Sequence, residues 1–477
     1  MEPGADQLHI LFFPHLAHGH MIPTIDMARQ FARRGVKATI LSSPLNAPVF
    51  YKTIKGDRHL GLEISIHIIK FPSVEAGLPE GCENLASTTS PEMFNNFYKA
   101  LSWLQHPLEQ ILEECRPNCL VADVMFPWAT EVAGKFGIPR LIFHGTSHFS
   151  LCVFHSLRQY ETHKNVVSDF ESFTVPGLPH QIKMTKLQQP NYFRGVEDEQ
   201  TKLTNLAIQS ELKSYGVLVN SYYELEPAYS EHYRKVIGVK AWNVGPVSLC
   251  NVDIESKALR GNTASIDAHE CLRWLDLKQP NSVLYVCFGS KFCFPDAQIL
   301  EIVNALEAGG QQFIWVMKDE ERQEMLEGFE RRMEGKGLII KGWAPQMLIL
   351  DHEAVGGFLT HCGWNSILEG VSNGVPMITM PLYAEQFYNE KLVTDVLKIG
   401  VSVGAQECTR SIDAKKFSLK KGDIENALNR LMVGEEAEEM RSRAQVLKEM
   451  ARKAVEEGGS SDSDINALLQ ELRLNCF

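Results

Sequence analysis

Long apolar runs are missing from this chain. Nowhere do the roughly 18 consecutive apolar residues needed to cross a bilayer occur, so no membrane span is expected. A basic excess is missing too. Lys and Arg number 47 against 59 Asp and Glu, a net charge of −12, which leaves no surplus cation to neutralise a phosphate backbone and argues against nucleic acid as a partner. A small anionic ligand, which needs only local donors, is not excluded. None of the 11 cysteines forms a C-x-x-C pair, and their scattered, odd-numbered placement argues against a disulfide framework or a cysteine-ligated metal and fits reduced thiols in the cytoplasm. The segment MEPGADQLHILFF has no basic stretch ahead of its apolar residues and no small-residue cleavage site, so no secretory signal is expected. No G-x-G-x-x-G follows a strand pattern and no Walker loop is present, which removes the main support for nicotinamide or phosphoryl-transfer chemistry. The single Asp-x-Asp, Asp462-Ser463-Asp464, opens the last helical pattern. It reads as a helix cap, and no metal is predicted.

What is present is a strand-helix rhythm. At 477 residues, with 44% hydrophobic and 22% charged, the chain is globular and long enough for two domains. Leu8 to Phe13 is an almost continuous apolar run, as expected of a buried parallel strand. A glycine-containing loop and a helical pattern (Ile25, Ala28, Phe31) follow, and then the strand Val36 to Ser43. The rhythm returns at Cys119 to Asp123, Arg140 to Phe143 and Gly216 to Asn220. It weakens between about 160 and 215, read as an excursion that lines something or forms a surface lobe. A second series begins at Val283 to Ser290 and continues through Phe313 to Met317, Gly337 to Ile340 and Val355 to Thr360. Alternation of this kind predicts parallel sheets with helices on both faces. The predicted boundaries are an N-terminal domain 1–246, an aperiodic polar linker 247–266, a second domain 267–455, and an amphipathic C-terminal helix within 456–477.

The 44 residues Trp343–Gln386 hold the densest chemistry. A strand (Val355 to Thr360) leads into the turn His361-Cys362-Gly363-Trp364, and Asn365-Ser366 open a helix. A helix N-terminus after a glycine turn offers outward-pointing amides and the positive end of the helix dipole to an anion. Trp343 offers a face for a base, and the Glu369 carboxylate can accept both ribose hydroxyls. The structural alternative is a capping box formed by Ser366 and Glu369, with both tryptophans as core packing. In the first half, Asp123 ends a strand at the edge where the loop containing His20 should lie. A carboxylate on one imidazole nitrogen makes the other a general base for a hydroxyl. His15 and His18 in the same loop, and His144 and His148 after another strand, are rivals that spacing does not separate from His20.

The stretch Trp343–Gln386 resembles the signature box of plant family 1 glycosyltransferases, which use UDP-sugars. The resemblance implies the GT-B fold, an α/β architecture of two Rossmann-like domains facing a cleft, with the C-terminal helix returning to the N-terminal domain. It selects the histidine of Gly19-His20 as base and Asp123, in V-A-D, as its partner. Trp343 would stack on uracil, with Ala344 and Gln346 near base and ribose and Glu369 on the ribose hydroxyls. Backbone amides of the Gly363–Asn365 turn, the His361 side chain, Ser366 and Ser290 would stabilise the leaving diphosphate without a metal. Glu385 and Gln386 would hold sugar hydroxyls, Trp364 and Thr146 would approach the remote ones, and the terminal Gln leans toward glucose. Met380 stands where Trp is usual, Tyr383 where Phe is common, and His15 where the family has an apolar residue.

The expected activity is inverting, UDP-glucose-dependent O-glucosylation of an apolar plant metabolite, flavonoid, other phenolic or triterpenoid. No bound cofactor is expected beyond the UDP-sugar donor, and the protein is read as a monomer. The alternatives are the same chemistry with another UDP-sugar, a UDP-sugar-binding protein without catalysis, and a glycoside hydrolase, which would need paired carboxylates and no nucleotide site.

Overall fold

The strand sequences HILFF, CLVAD, RLIFH, GVLV, VLYVC and VGGFLT are apolar at nearly every position, and almost all of their residues are buried. Such strands must be covered on both faces, which a parallel sheet wrapped by helices provides. The computed structural model describes residues 7–291, 294–317, 323–409 and 418–474, the side chains of 323–325 excepted. Its contacts group into two units. One comprises the chain up to His148, Gly195–Asn251 and the chain from Lys453 on. The other comprises Phe149–Arg194 and Val252–Arg452.

In the first unit, β1 (His9–Phe13), β2 (Lys37–Ser42), β3 (Ile64–Ile68), β4 (Cys119–Asp123) and β5 (Arg140–His144) belong to one parallel sheet. The second unit contributes the antiparallel hairpin β6 (Ser172–Val175) and β7 (Ile182–Thr185). The first sheet is completed by β8 (Gly216–Val219) and β9 (Ala241–Asn243), giving the order β3-β2-β1-β4-β5-β8-β9. The register sets Phe13 opposite Ala122 and Asp123 opposite Phe143, so β1, β4 and β5 end at one level. Strand order reverses between β1 and β4, the place where open α/β sheets receive ligands.

The second sheet is built from β10 (Val283–Cys287), β11 (Gln312–Met317), β12 (Gly337–Lys341), β13 (Val355–Thr360), β14 (Met377–Thr379) and β15 (Gly400–Ser402) in the order β12-β11-β10-β13-β14-β15, all parallel. Cys287 pairs with Thr360, so the loops after β10 and β13 share an edge at this sheet's own reversal point. The stretch Phe149–Arg194, kept with the first domain by the sequence boundaries, is tied to the second unit by Ser150 Oγ donating to Asn389 Oδ1 (2.8 Å), Tyr388 Oη to Gln189 Oε1 (2.7 Å) and Arg194 Nη1 to the Cys408 carbonyl (2.9 Å).

The C-terminal helix Ser460–Leu474 packs on the first unit through its apolar face (Ile465, Leu468, Leu469, Leu472). Asp464 accepts from the Asn243 amide (2.8 Å) and from Arg234 Nη2 (2.8 Å), and Asp462 pairs with Arg34 (2.6 Å). The Asp-x-Asp pair is thus engaged by side chains of its own unit. Helix His18–Ala32, which carries His20 in its first turn, is held by a buried charge cluster. Arg29 donates to both Asp57 oxygens (2.6 and 3.2 Å) and to Asn251 Oδ1, and Asn251 Nδ2 donates to Asp26 Oδ1 (3.0 Å). Removing one partner of a buried ion pair costs about 3–5 kcal/mol, because the other charge is left in low dielectric. Asp57→Ala is therefore expected to lower stability by about that amount in denaturant titration. A loss below about 0.5 kcal/mol would show that the cluster is not holding the helix.

Candidate active site

At the edge of the first sheet, the His20 Nδ1–Asp123 Oδ2 distance is 2.7 Å. The Asp123 side chain is fully buried and that of His20 keeps 30% of its surface. Its other carboxylate oxygen accepts from the Met125 amide (2.9 Å), and Arg140 Nη2 donates to its carbonyl (2.9 Å), so the residue is fixed from three sides. Burial opposes its charge, but the His20 and His15 imidazoles and the Met125 amide outweigh this and hold the carboxyl below the usual carboxylate range. An ionised acceptor at Nδ1 requires the proton there, which puts the basic lone pair of His20 on Nε2.

The rival histidines are placed differently. His15 is buried, with its ring 5.0 Å from that of His20 and stacked on Tyr98 at 6.0 Å, so it walls His20 rather than facing outward. His144 pairs with buried Glu211 (2.7 Å), and His148 meets Asn243 Oδ1 (3.0 Å). His18 is the first residue of the helix and half-buried. Thr146 follows β5 in this first unit, beside Gly145, where an added Cβ would lie 3.6 Å from His20 Nδ1. Its hydroxyl is buried without a hydrogen-bond partner among the described residues.

In the second unit, β13 delivers the chain to His361, and the helix Trp364–Ser372 begins at once with Gly363 as N-cap. Gly363 has no side chain to satisfy the first-turn amides, which point toward solvent or a ligand. The His361 ring is wedged between Gly289 and Gly363: a Cβ on either would stand 2.7 or 2.5 Å from Nε2. Gly289 also has φ +77°, a conformation that glycine adopts without strain. This packing sets the imidazole beside Ser290 and the helix start, with its Nδ1 buried and without a hydrogen-bond partner among the described residues. Burial pushes its pKa down to about 4, so at neutral pH the ring is an uncharged donor.

Glu369 lies within this helix and does not fold back on its N-terminus, so the capping-box alternative does not apply. One oxygen takes Arg260 Nη1 (2.5 Å) and the other Gln346 Nε2 (2.7 Å), and Gln346 also accepts from the Tyr285 hydroxyl (3.1 Å). Trp343 is half-buried and Ala344 buried beside it. The edge of the second sheet thus gathers a flat aromatic, a carboxylate and an amide-lined helix start, the three groups that a base, a ribose and a diphosphate call for.

Residues 259–442 match the family described as UDP-glucoronosyl and UDP-glucosyl transferase. The chain is 56% identical to scopoletin glucosyltransferase from Nicotiana tabacum, with 98% of each protein covered. It is 54% identical to UDP-glucose flavonoid 3-O-glucosyltransferase 7 from Fragaria ananassa, covering 98% of this chain and 97% of that one. The chain belongs to this family of UDP-glycosyltransferases. A Glycyrrhiza uralensis UGT crystallised with glycyrrhetinic acid 3-O-monoglucuronide superposes with TM-score 0.93 at 43% identity, covering 98% of this chain and 96% of that one, so the fold is GT-B.

Two positions of this glycosyltransferase behave otherwise than their residue types suggest. Trp364 is 2% exposed, so its indole is packed into the interior of the second unit. Gln386 is equally buried, and its Oε1 accepts from both the Leu382 and Tyr383 amides (2.9 and 3.1 Å), which fixes the flip of the side-chain amide. With Oε1 engaged by both amides, the side chain has only its NH₂ left to donate, part of it toward the Tyr383 hydroxyl, and half-exposed Glu385 lies beside it. Met380 is fully buried, its amide bonded to the Thr360 carbonyl (2.9 Å). Arg260 and Ser265 escaped the sequence reading because they lie in a stretch with no periodicity.

Buried neutral histidines set an acid limit on stability. The folded-state pKa values of His9, His148 and His361 are lowered to about 4, 3 and 4, burial being the largest cause in each. Below the ordinary value near 6.5 the unfolded chain binds protons that the folded one refuses. Stability contributed by neutral His361 is therefore present above pH 6.5 and lost as pH falls, the loss being complete below about 4 and worth about 3 kcal/mol. Melting temperature is expected to fall steadily between pH 6.5 and 4. A flat profile would mean that these imidazoles are charged in the folded protein.

Proposed function

We propose that this glycosyltransferase transfers glucose from UDP-glucose to a hydroxyl of an apolar phenolic, flavonoid or triterpenoid acceptor, with inversion at the anomeric carbon. Relatives named for scopoletin and flavonoid glucosylation support the donor and acceptor class. The observation that carries the mechanism is the 2.7 Å His20–Asp123 pair, one member buried and ionised, the other partly exposed. His20 Nε2 takes the acceptor hydroxyl proton as the oxygen forms its bond to the anomeric carbon, and Asp123 stabilises the imidazolium. The bond from that carbon to the diphosphate breaks, and UDP leaves into the field of the Gly363–Asn365 amides, Ser290, Ser366 and neutral His361. Donors fixed in advance need no reorganisation as charge develops. In the same reading the protein works in the cytoplasm as a monomer. Among the described residues no helix is long and apolar enough to cross a membrane.

His20→Ala is expected to lower turnover on a neutral alcohol acceptor by about 100-fold or more with UDP-glucose affinity nearly intact. Asp123→Asn should do much the same by removing the stabilising charge. Activity within a few-fold of the unmutated enzyme would remove His20 from the mechanism. An acidic phenol, already partly ionised, should be hurt less.

Donor choice rests on Gln386 and Glu385. Glucose and galactose differ only at the 4-hydroxyl, and a buried polar group left unpaired is worth about 1–3 kcal/mol, so UDP-glucose should be preferred by at least about tenfold in kcat/KM. Gln386→Glu keeps an acceptor for the Leu382 and Tyr383 amides and deletes the NH₂ donor. It should erode the preference while sparing UDP affinity. Competition between the two donors at equal concentration reads this directly, and equal use of both by the unmutated enzyme would end the argument.

A further inference from the structure

The stretch ahead of the helix Ala268–Asp276 reads as a polar connection in sequence, yet it is anchored to the nucleotide-site elements at three points. Lys257 Nζ pairs with Asp351 (2.7 Å), at the far end of the helix Gln346–Asp351. The side chain of Arg260, largely buried, reaches Glu369 (2.5 Å). Ser265 donates its amide to the Trp343 carbonyl (2.8 Å) and accepts the Trp343 amide on its hydroxyl (3.0 Å). The approach is close enough to dictate the neighbouring residue. Gly342 has φ +120°, and a Cβ there would lie 2.1 Å from Ser265 Oγ.

We infer that Arg260–Ser265 is a strap that positions the nucleoside-recognition groups, Arg260 orienting the Glu369 carboxylate toward the ribose and Ser265 fixing the backbone of Trp343. The inference rests on the reading of Glu369 and Trp343 as ribose and base contacts. A lone-pair count supports it. An ionised carboxylate offers about four acceptor directions, two on each oxygen. Arg260 takes one on Oε1 and Gln346 one on Oε2, which leaves one on each oxygen, the number that two vicinal hydroxyls need. Both fixed donors come from the protein, so the carboxylate plane is set before ligand arrives, and little ordering remains for the binding step. Arg260 also balances a charge that is 4% exposed, close to where a diphosphate would bring two more. It touches no reacting atom in this scheme and is a positioning residue.

The test is calorimetric titration with UDP and with 2′-deoxy-UDP, alongside melting curves, for the unmutated enzyme, Arg260→Gln, Arg260→Lys and Ser265→Ala. The unmutated enzyme should prefer UDP by about tenfold or more. Arg260→Gln should weaken UDP by about tenfold and bring the two ligands within about threefold of each other, with Arg260→Lys recovering part of both effects. KM for UDP-glucose should rise while kcat changes by less than about threefold. Ser265→Ala should weaken UDP and 2′-deoxy-UDP equally, by a few-fold, leaving their ratio intact. If the unmutated enzyme does not distinguish the ligands, the reading of Glu369 as the ribose group fails, and the inference with it. A preference that survives unchanged in folded Arg260→Gln overturns the inference alone. Equal losses for both ligands in that variant would place Arg260 on the nucleotide itself and overturn the positioning role. Should Arg260→Gln fail to fold, Arg260→Lys decides by the same ratio: a preference equal to that of the unmutated enzyme overturns the inference. Unaltered binding in Ser265→Ala removes Ser265 from the strap.

Discussion

Where two neighbouring parallel strands send the chain off in opposite directions, the loops at their carboxyl ends separate and leave main-chain groups exposed at a shared edge. Both halves of this glycosyltransferase use that geometry. In one sheet β1 and β4 part at Phe13 and Asp123, and the loop returning from β1 carries His20 to the carboxylate. In the other, β10 and β13 part at Cys287 and Thr360, and the two outgoing loops supply Gly289-Ser290 and His361-Cys362-Gly363. Level strand ends are what let residues about 100 positions apart, such as His20 and Asp123, meet at hydrogen-bond distance.

The same sites concentrate charge in dry surroundings, and each charge is matched before any ligand arrives. Asp123 has the His20 imidazole and the Met125 amide, and Glu369 has Arg260 and Gln346. The histidine between two glycines follows the opposite rule. Among the described residues no carboxylate pairs with it, and burial keeps it neutral. The imidazole beside a carboxylate is therefore favoured to take up charge, and the one between glycines to remain without it.

Much of this was legible in the sequence, because near-continuous apolar runs mark buried parallel strands, and the turn His361–Ser366 combines residues that plain packing does not require. The pairing of His20 with Asp123 needed the family resemblance, since spacing left five histidines level. What separates them is tertiary: His15 lies against Tyr98, and His144 against Glu211, partners from distant helices that no local pattern announces. The assignment of Phe149–Arg194 to the second unit was illegible for a similar reason, its ties to Tyr388, Asn389 and Cys408 being scattered long-range hydrogen bonds. Gln386 shows a subtler limit. Its residue type announces a donor and an acceptor, but the turn Leu382–Gln386 uses both lone pairs of the acceptor.

The segment joining the two sheets bears on how such enzymes recombine. An aperiodic stretch between two halves invites use as a junction for chimaeras of two relatives. Here the residues from Lys257 to Ser265 grip Asp351, Glu369 and Trp343. A crossover at residue 267 would pair one parent's strap with the other parent's Asp351, Trp343 and Glu369, and Gly342 leaves no room for an altered path. A crossover near Asn251, ahead of the strap, inherits the strap and its seat together, and leaves only Phe149–Arg194 and the C-terminal helix to meet residues of the other parent.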